Sequence, residues 1–141
     1  VGDAQGAVSG GVIYILLNLA PILVATGIGM LLGAAYRGTF DRGAPRLRMS
    51  TLVIGTLGLF WFASILAGAL ILAPPKAAPW IMAVGSAVVI WIGFVLPVVA
   101  ITQSYRGARA GQIVRDSLFW LVTMVAQAVA MKLIGLAPPP A

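Results

Sequence analysis

The sequence predicts an all-α, polytopic membrane protein built as a four-transmembrane-helix bundle. Three observations carry that prediction. Of 141 residues, 61% are hydrophobic and only 9% charged, whereas a soluble domain carries about 25% charged residues. Four long apolar segments divide the chain, at about 12–36, 49–72, 80–104 and 117–136. The arginines gather in two of the breaks between them.

Each apolar segment has about 20–25 residues, which at 1.5 Å per residue reaches about 30–37 Å and crosses a hydrocarbon core of about 30 Å. Barrel strands need only about 10 residues and alternate in polarity, a pattern missing here. The first break, Arg37 to Arg48, holds Gly38, Gly43 and Pro45. The second, Ala73 to Pro79, holds Pro74, Pro75 and Pro79, which stop helix from both sides. Tyr105 to Asp116 forms the third break. The tail from Ala137 to Ala141, with three successive prolines, ends the last span and reads as extended. The whole of 1–141 is one transmembrane domain.

Orientation follows from the basic residues. All seven arginines (Arg37, Arg42, Arg46 and Arg48, then Arg106, Arg109 and Arg115) fall in the first and third breaks, against Lys76 and Lys132 on the other side. The expectation is a bacterial inner membrane with the arginine loops cytoplasmic and both termini outside. The N-terminal tail carries Asp3 and no base, so it can cross without positive charge. No basic region precedes the first apolar run, so no signal peptide is expected, with a processed precursor as the alternative. Tyr36, Tyr105 and Trp120 mark the inner boundary, and Tyr14 and Trp80 the outer one. The arginine loops also suit anionic lipid head groups, each basic residue being worth about 1 kcal/mol near such a surface.

Composition excludes much chemistry. The net charge is +6, but the positive charge sits in short loops between apolar runs. Nucleic acid is not an expected partner, because a phosphate-binding face needs basic residues along a soluble surface. The chain has no Cys and no His, which removes thiolate chemistry, Cys or His metal sites, His-ligated haem and His-based acid–base catalysis. No catalytic, metal or cofactor residue is assigned, and no cofactor is expected.

What remains are packing features. Ala25, Gly29 and Gly33 recur every four residues on the first span, with a GxxxG match from Gly29 to Gly33. Such a face lets another helix approach closely, from within the chain or from another copy. Gly55, Gly58 and the Ala63/Ala67 pair on the second span, and Ala126/Ala130 on the fourth, extend the pattern. Pro21 cannot donate to the carbonyl of Leu17, nor Pro97 to that of Gly93, so each kinks its helix and frees an acceptor. Gln127 lies at nearly the depth of Gly93 and is expected to help satisfy the third helix there. A bond within its own helix, or to water, is the alternative. Asn18, beside Pro21, is expected to face the bundle interior. Asp116 reads as a cap or interface ion pair with Arg115 at the start of the fourth helix, and Lys132 as a residue that snorkels outward. In the run Phe60-Trp61-Phe62, successive residues point in different directions, so at least one must face lipid, a partner chain or a hydrophobic molecule.

Trp91-Ile92-Gly93-Phe94-Val95-Leu96-Pro97, the loop with Arg106 and Arg109, and Asp116-Ser117-Leu118-Phe119-Trp120-Leu121 together resemble the small bacterial membrane proteins called domain of unknown function 1761. The first span, from Asn18-Leu19-Ala20 to Gly33-Ala34-Ala35-Tyr36, fits the family's opening more loosely. After that Tyr the family often has Ser-Pro, where this chain has Arg37-Gly38. About half the chain is covered. The resemblance implies a four-helix inner-membrane protein and brings no activity. The functional expectation is a non-enzymatic accessory or structural subunit that packs against other membrane proteins. The alternative is a small homo-oligomeric transporter or channel using the two proline kinks with Asn18 and Gln127.

Overall fold

The computed structural model describes residues 12–139. The expectations for Asp3 and for the last two residues of the tail lie outside that range. Residues 12–17 are helical and lead through Asn18 into α1, Leu19–Phe40. Helix α2 spans Met49–Leu72, α3 Pro79–Tyr105 and α4 Ala110–Ile134. All four are long and apolar enough to cross a membrane, and the described residues form no strand. A spanning segment must satisfy its own backbone in lipid, which helices do without help from water.

The termini of the elements follow local chemistry. Ala73, held extended before Pro74, ends α2 at φ −60°, ψ 126°. Ala78 is extended too, and Pro79 occupies the first turn of α3, where its missing N–H costs nothing. Gly135 ends α4 at φ 98°, a left-handed region that a side chain would strain. This stop precedes the sequence expectation of Leu136 by two residues.

Two other boundaries differ from expectation. Helix α4 begins at Ala110 rather than near Ser117, because Arg109 already adopts the extended N-cap conformation. The added stretch is polar and helical at once, so hydropathy alone could not find it. Asp116 therefore lies well inside α4 and is not its cap. In α3, Trp91–Val95 ahead of Pro97 forms a π-helical turn, with the N–H of Leu96 donating to the carbonyl of Trp91. The wider turn precedes the residue that cannot donate.

Helix α4 packs most extensively on α1 and on α3, and α2 packs mainly on α1. The core is made of Ile22 and Ala25 from α1, Ala63, Leu66 and Ala67 from α2, Ala87 from α3, and Met124, Ala128 and Met131 from α4. Alanine dominates because lipid gives little hydrophobic drive, so helices associate by close contact. The outer surface is the greasier one, with Leu31, Leu72 and Phe94 more than 70% exposed. Of the aromatic run, Trp61 points outward while Phe60 and Phe62 are half-buried, Phe62 against Trp120 at 5.9 Å.

Candidate functional site

Polar side chains that bond between elements lie at three depths along the seam between α1 and α4, fully buried at the first two and half-buried at the third. The first is at the end of the bundle that carries the proline loop. Asn18 is 1% exposed. Its Nδ2 donates to the carbonyl of Tyr14 and to that of Ala137, both at 2.8 Å, and its Oδ1 accepts from the Ala137 N–H at 2.6 Å. One primary amide thus pairs with both backbone groups of a residue 119 positions away. The tail reaches it because Gly135 turns the chain back and Leu136 packs on the core. Nearby, the Tyr14 hydroxyl donates to the Ser64 carbonyl at 3.0 Å. A Cβ at Gly68 would come within 3.2 Å of that hydroxyl, so glycine there makes room for the ring.

The second lies in the middle. Gln127, fully buried, donates from Nε2 to the carbonyl of Ala25 at 3.1 Å. The expected partner was α3 near Gly93. The correction follows from the packing of α4, which turns Gln127 toward α1, while Gly93 is exposed and a Cβ there would meet nothing within 4 Å. Gln127 Oε1 meets no donor among the described residues. Gly29 sits beside this contact, and a Cβ on it would come within 2.9 Å of Leu59 and 3.2 Å of Gln127 Nε2.

The third is at the arginine end. The Tyr36 hydroxyl donates to Asp116 Oδ1, and Gln103 Nε2 donates to Asp116 Oδ2 at 2.5 Å. Arg115 Nε donates to the Tyr36 hydroxyl at 3.0 Å and lies 3.8 Å from Asp116 Oδ1. The Arg115 guanidinium also stands 4.9 Å from the Phe40 ring centroid, within cation–π range. Tyr36 stacks against Phe119 at 4.5 Å. One carboxylate therefore joins α1, α3 and α4. Trp91 adds a further tie, its Nε1 donating to the Ser117 carbonyl at 2.7 Å.

The helix-packing residues named from sequence thus divide. The structure brings Ala25, Gly29 and Gln127 together at one buried contact. Gly33 is half-buried with open space where a Cβ would go, and Gly93 and Pro97 lie on the exposed face of α3. Their expected packing role within the chain is not what this fold uses. The arginines divide too. Arg37 donates to the Pro45 carbonyl and Arg42 Nε to the Gly38 carbonyl at 3.1 Å, so both brace the first loop. Arg46, Arg48, Arg106 and Arg109 are exposed. Arg48 and Arg109 occupy the N-cap positions of α2 and α4, where neither first turn holds an acid. Cations there oppose the helix dipole, and an anionic surface would relieve that.

Gln103 and Tyr14 were not singled out from the sequence as bonding groups, although a glutamine one turn from a helix end and a tyrosine at a membrane boundary are visible signals. The backbone of Ala137 gave none, since its role depends on the chain reversal at Gly135. Neither Asn18 nor Gln127 lines the hollows at the proline loop, between α2 and α3, or beside Tyr36 and Phe119 among the described residues. Comparison of the chain with known protein families, curated proteins and solved structures finds no match.

Proposed function

We propose that this chain is a non-enzymatic accessory or structural subunit of a bacterial inner membrane, one that packs against other membrane proteins. The observation that carries the reading is the lopsided burial of the bundle. Only 6% of the apolar window of α3 is buried, against 28%, 28% and 33% for the other helices. Helix α3 lays one face, with Ala83 and Ala87, against the bundle and presents much of the rest outward, including Gly93 beside Phe94 and Pro97. A small residue next to an exposed ring gives a second helix both a hollow and a knob.

The polar groups support the non-enzymatic part. Asp116, the carboxylate within a helix, is already engaged by Tyr36, Gln103 and Arg115. Asn18 and Gln127 motivated the transporter alternative, and both are occupied in holding the fold together. The likeness to the domain of unknown function 1761 proteins is kept as part of the proposal, resting on the residues quoted for it. The exposed arginines would then face the cytoplasm and its anionic lipids.

The test is gentle extraction from the native membrane, followed by mass spectrometry of the intact complex. A defined hetero-complex that dissociates when Gly93 is replaced by Leu is the expected result. A solitary monomer in native lipid particles would overturn the proposal.

A further inference from the structure

We propose a discrete binding site for one anionic phospholipid at the proline end, with its head group beside Lys132 and an acyl chain between α2 and α3. The site consists of two adjoining hollows. The first, of about 430 Å³, is walled by the proline loop and the returning C-terminal tail, among them Pro74, Pro79, Lys132, Leu136 and Pro138. The second, of about 450 Å³, runs along the outside of α2 and α3 past Ala69, Ile81, Gly85, Val89 and Ile90. Met82 forms part of both walls.

The chemistry of the two hollows differs as the two halves of a lipid differ. In the upper one Lys132 is the sole charged residue, and it makes no ion pair among the described residues. The described acids, Asp41 and Asp116, are both at the arginine end, so Lys132 meets no carboxylate side chain among the described residues. A lysine stem lies along apolar surface while its ammonium seeks an anion or water. The lower hollow offers almost no polar atom. Its one hydroxyl, on Ser86, already donates to the Met82 carbonyl at 2.7 Å. Gly85 deepens it, since a Cβ there would meet nothing within 4 Å. No side-chain hydrogen bond crosses between α2 and α3 among the described residues, whereas the α1–α4 seam has several. An apolar chain can therefore lie in this seam without displacing a polar contact.

The site is independent of the proposed subunit role and is tested on the purified chain alone. Native mass spectrometry is run in mild detergent with dioleoylphosphatidylglycerol and, separately, dioleoylphosphatidylcholine, which share chains and differ in head-group charge. The phosphatidylglycerol adduct is expected to dominate. Lys132→Gln lowers its retention about fivefold, the factor expected for one basic residue, and leaves phosphatidylcholine unchanged. Gly85→Leu fills the chain hollow and lowers both lipids. In the Gly85→Leu background Lys132→Gln has no further effect, which separates this site from lipid held by the arginine loops. Equal retention of both lipids by the unmodified chain overturns the proposal. So does unchanged phosphatidylglycerol retention in Lys132→Gln, or a full Lys132→Gln effect persisting in the Gly85→Leu chain. Lys132 is exposed, so its single variant decides the matter even where Gly85→Leu fails to fold.

Discussion

Replacing Asn18 by Ala removes three hydrogen bonds at once, one to Tyr14 and two to Ala137. Side-chain hydrogen bonds in membrane bundles average about 0.6 kcal/mol, which puts the sum near 2 kcal/mol. A larger value would follow if both Ala137 groups stayed dry, since each stranded group costs about 1–3 kcal/mol. Ala137 is exposed, however, so water or head groups can take over its N–H and C=O. The lower figure, about 2 kcal/mol, is therefore the expected one. Removing residues 137–141 should destroy the same two bonds from the other side. The assay is reversible unfolding in mixed detergent micelles, read by circular dichroism. It is run on four chains, with the Asn18→Ala substitution present or absent and the tail full or shortened. In the shortened chain, Asn18→Ala should cost only about 0.6 kcal/mol, for the remaining bond to Tyr14. The difference, about 1.2 kcal/mol, is the coupling energy of the Ala137 pair. An equal cost of Asn18→Ala in both backgrounds would refute the argument, because the tail would then not be the partner.

Glycines 29 and 33 share a motif but should respond differently. Gly29→Ala sets a methyl against the end of Leu59, which can swing aside, and against the buried Gln127 amide, and should destabilise by about 1 kcal/mol, while Gly33→Ala should change the same unfolding midpoint little. Gln127→Leu should cost less than about 1 kcal/mol, since it loses one bond to Ala25 but also removes a buried Oε1 that meets no donor. At the arginine end, Tyr36→Phe leaves Asp116 with Gln103 and Arg115 and should lower stability by about 1–2 kcal/mol. Asp116→Ala should cost more in the same measurement, because it strands the Tyr36 and Gln103 donors, whereas Tyr36→Phe frees Arg115 Nε, on a side chain 38% exposed that can turn to water. Topology can be read by single-cysteine labelling, as the chain has no native Cys. Gly43→Cys should be shielded from an impermeant reagent in intact cells and Lys76→Cys modified, and the reverse pattern would invert the orientation.

The four spans were legible because a bilayer demands long apolar runs, and the runs here are bounded by prolines, glycines and arginines. What escaped was helix without hydropathy. The first turns of α4 carry Gln112, Arg115 and Asp116, so an apolar window opens only at Ser117 although the backbone is helical from Ala110. That shift moved Asp116 from a supposed cap into a three-helix junction. That Pro97 interrupts the α-helical ladder was legible from its missing N–H, while the π turn ahead of it was not. Depth counted along separate helices suggested that Gln127 meets Gly93, but depth says nothing of rotation. The rotation of α4 points Gln127 at Ala25 instead. Asn18 could be placed inside from its polarity, yet its partner could not, because that contact depends on the left-handed turn at Gly135.

The polar ties are distributed unevenly, and that unevenness says which parts of the bundle are fixed. Asn18 with Ala137, Ala25 with Gln127, and Tyr36 with Asp116 and Arg115 fasten α1 to α4 and its tail at both ends and in the middle. Packing of small apolar residues alone would leave two such helices free to slide or rotate, since lipid satisfies their surfaces nearly as well as they satisfy each other. Directional bonds at three depths remove that freedom. Helix α2 is tied by Tyr14 to Ser64, and α3 by Trp91 to Ser117 and by Gln103 to Asp116. Between α2 and α3 no such bond is formed among the described residues, and the lipid-facing hollow at Gly85 lies there. The α1–α4 pair therefore acts as the rigid spine, and the α2–α3 side is where a lipid or a partner helix can be accommodated at least cost to the fold.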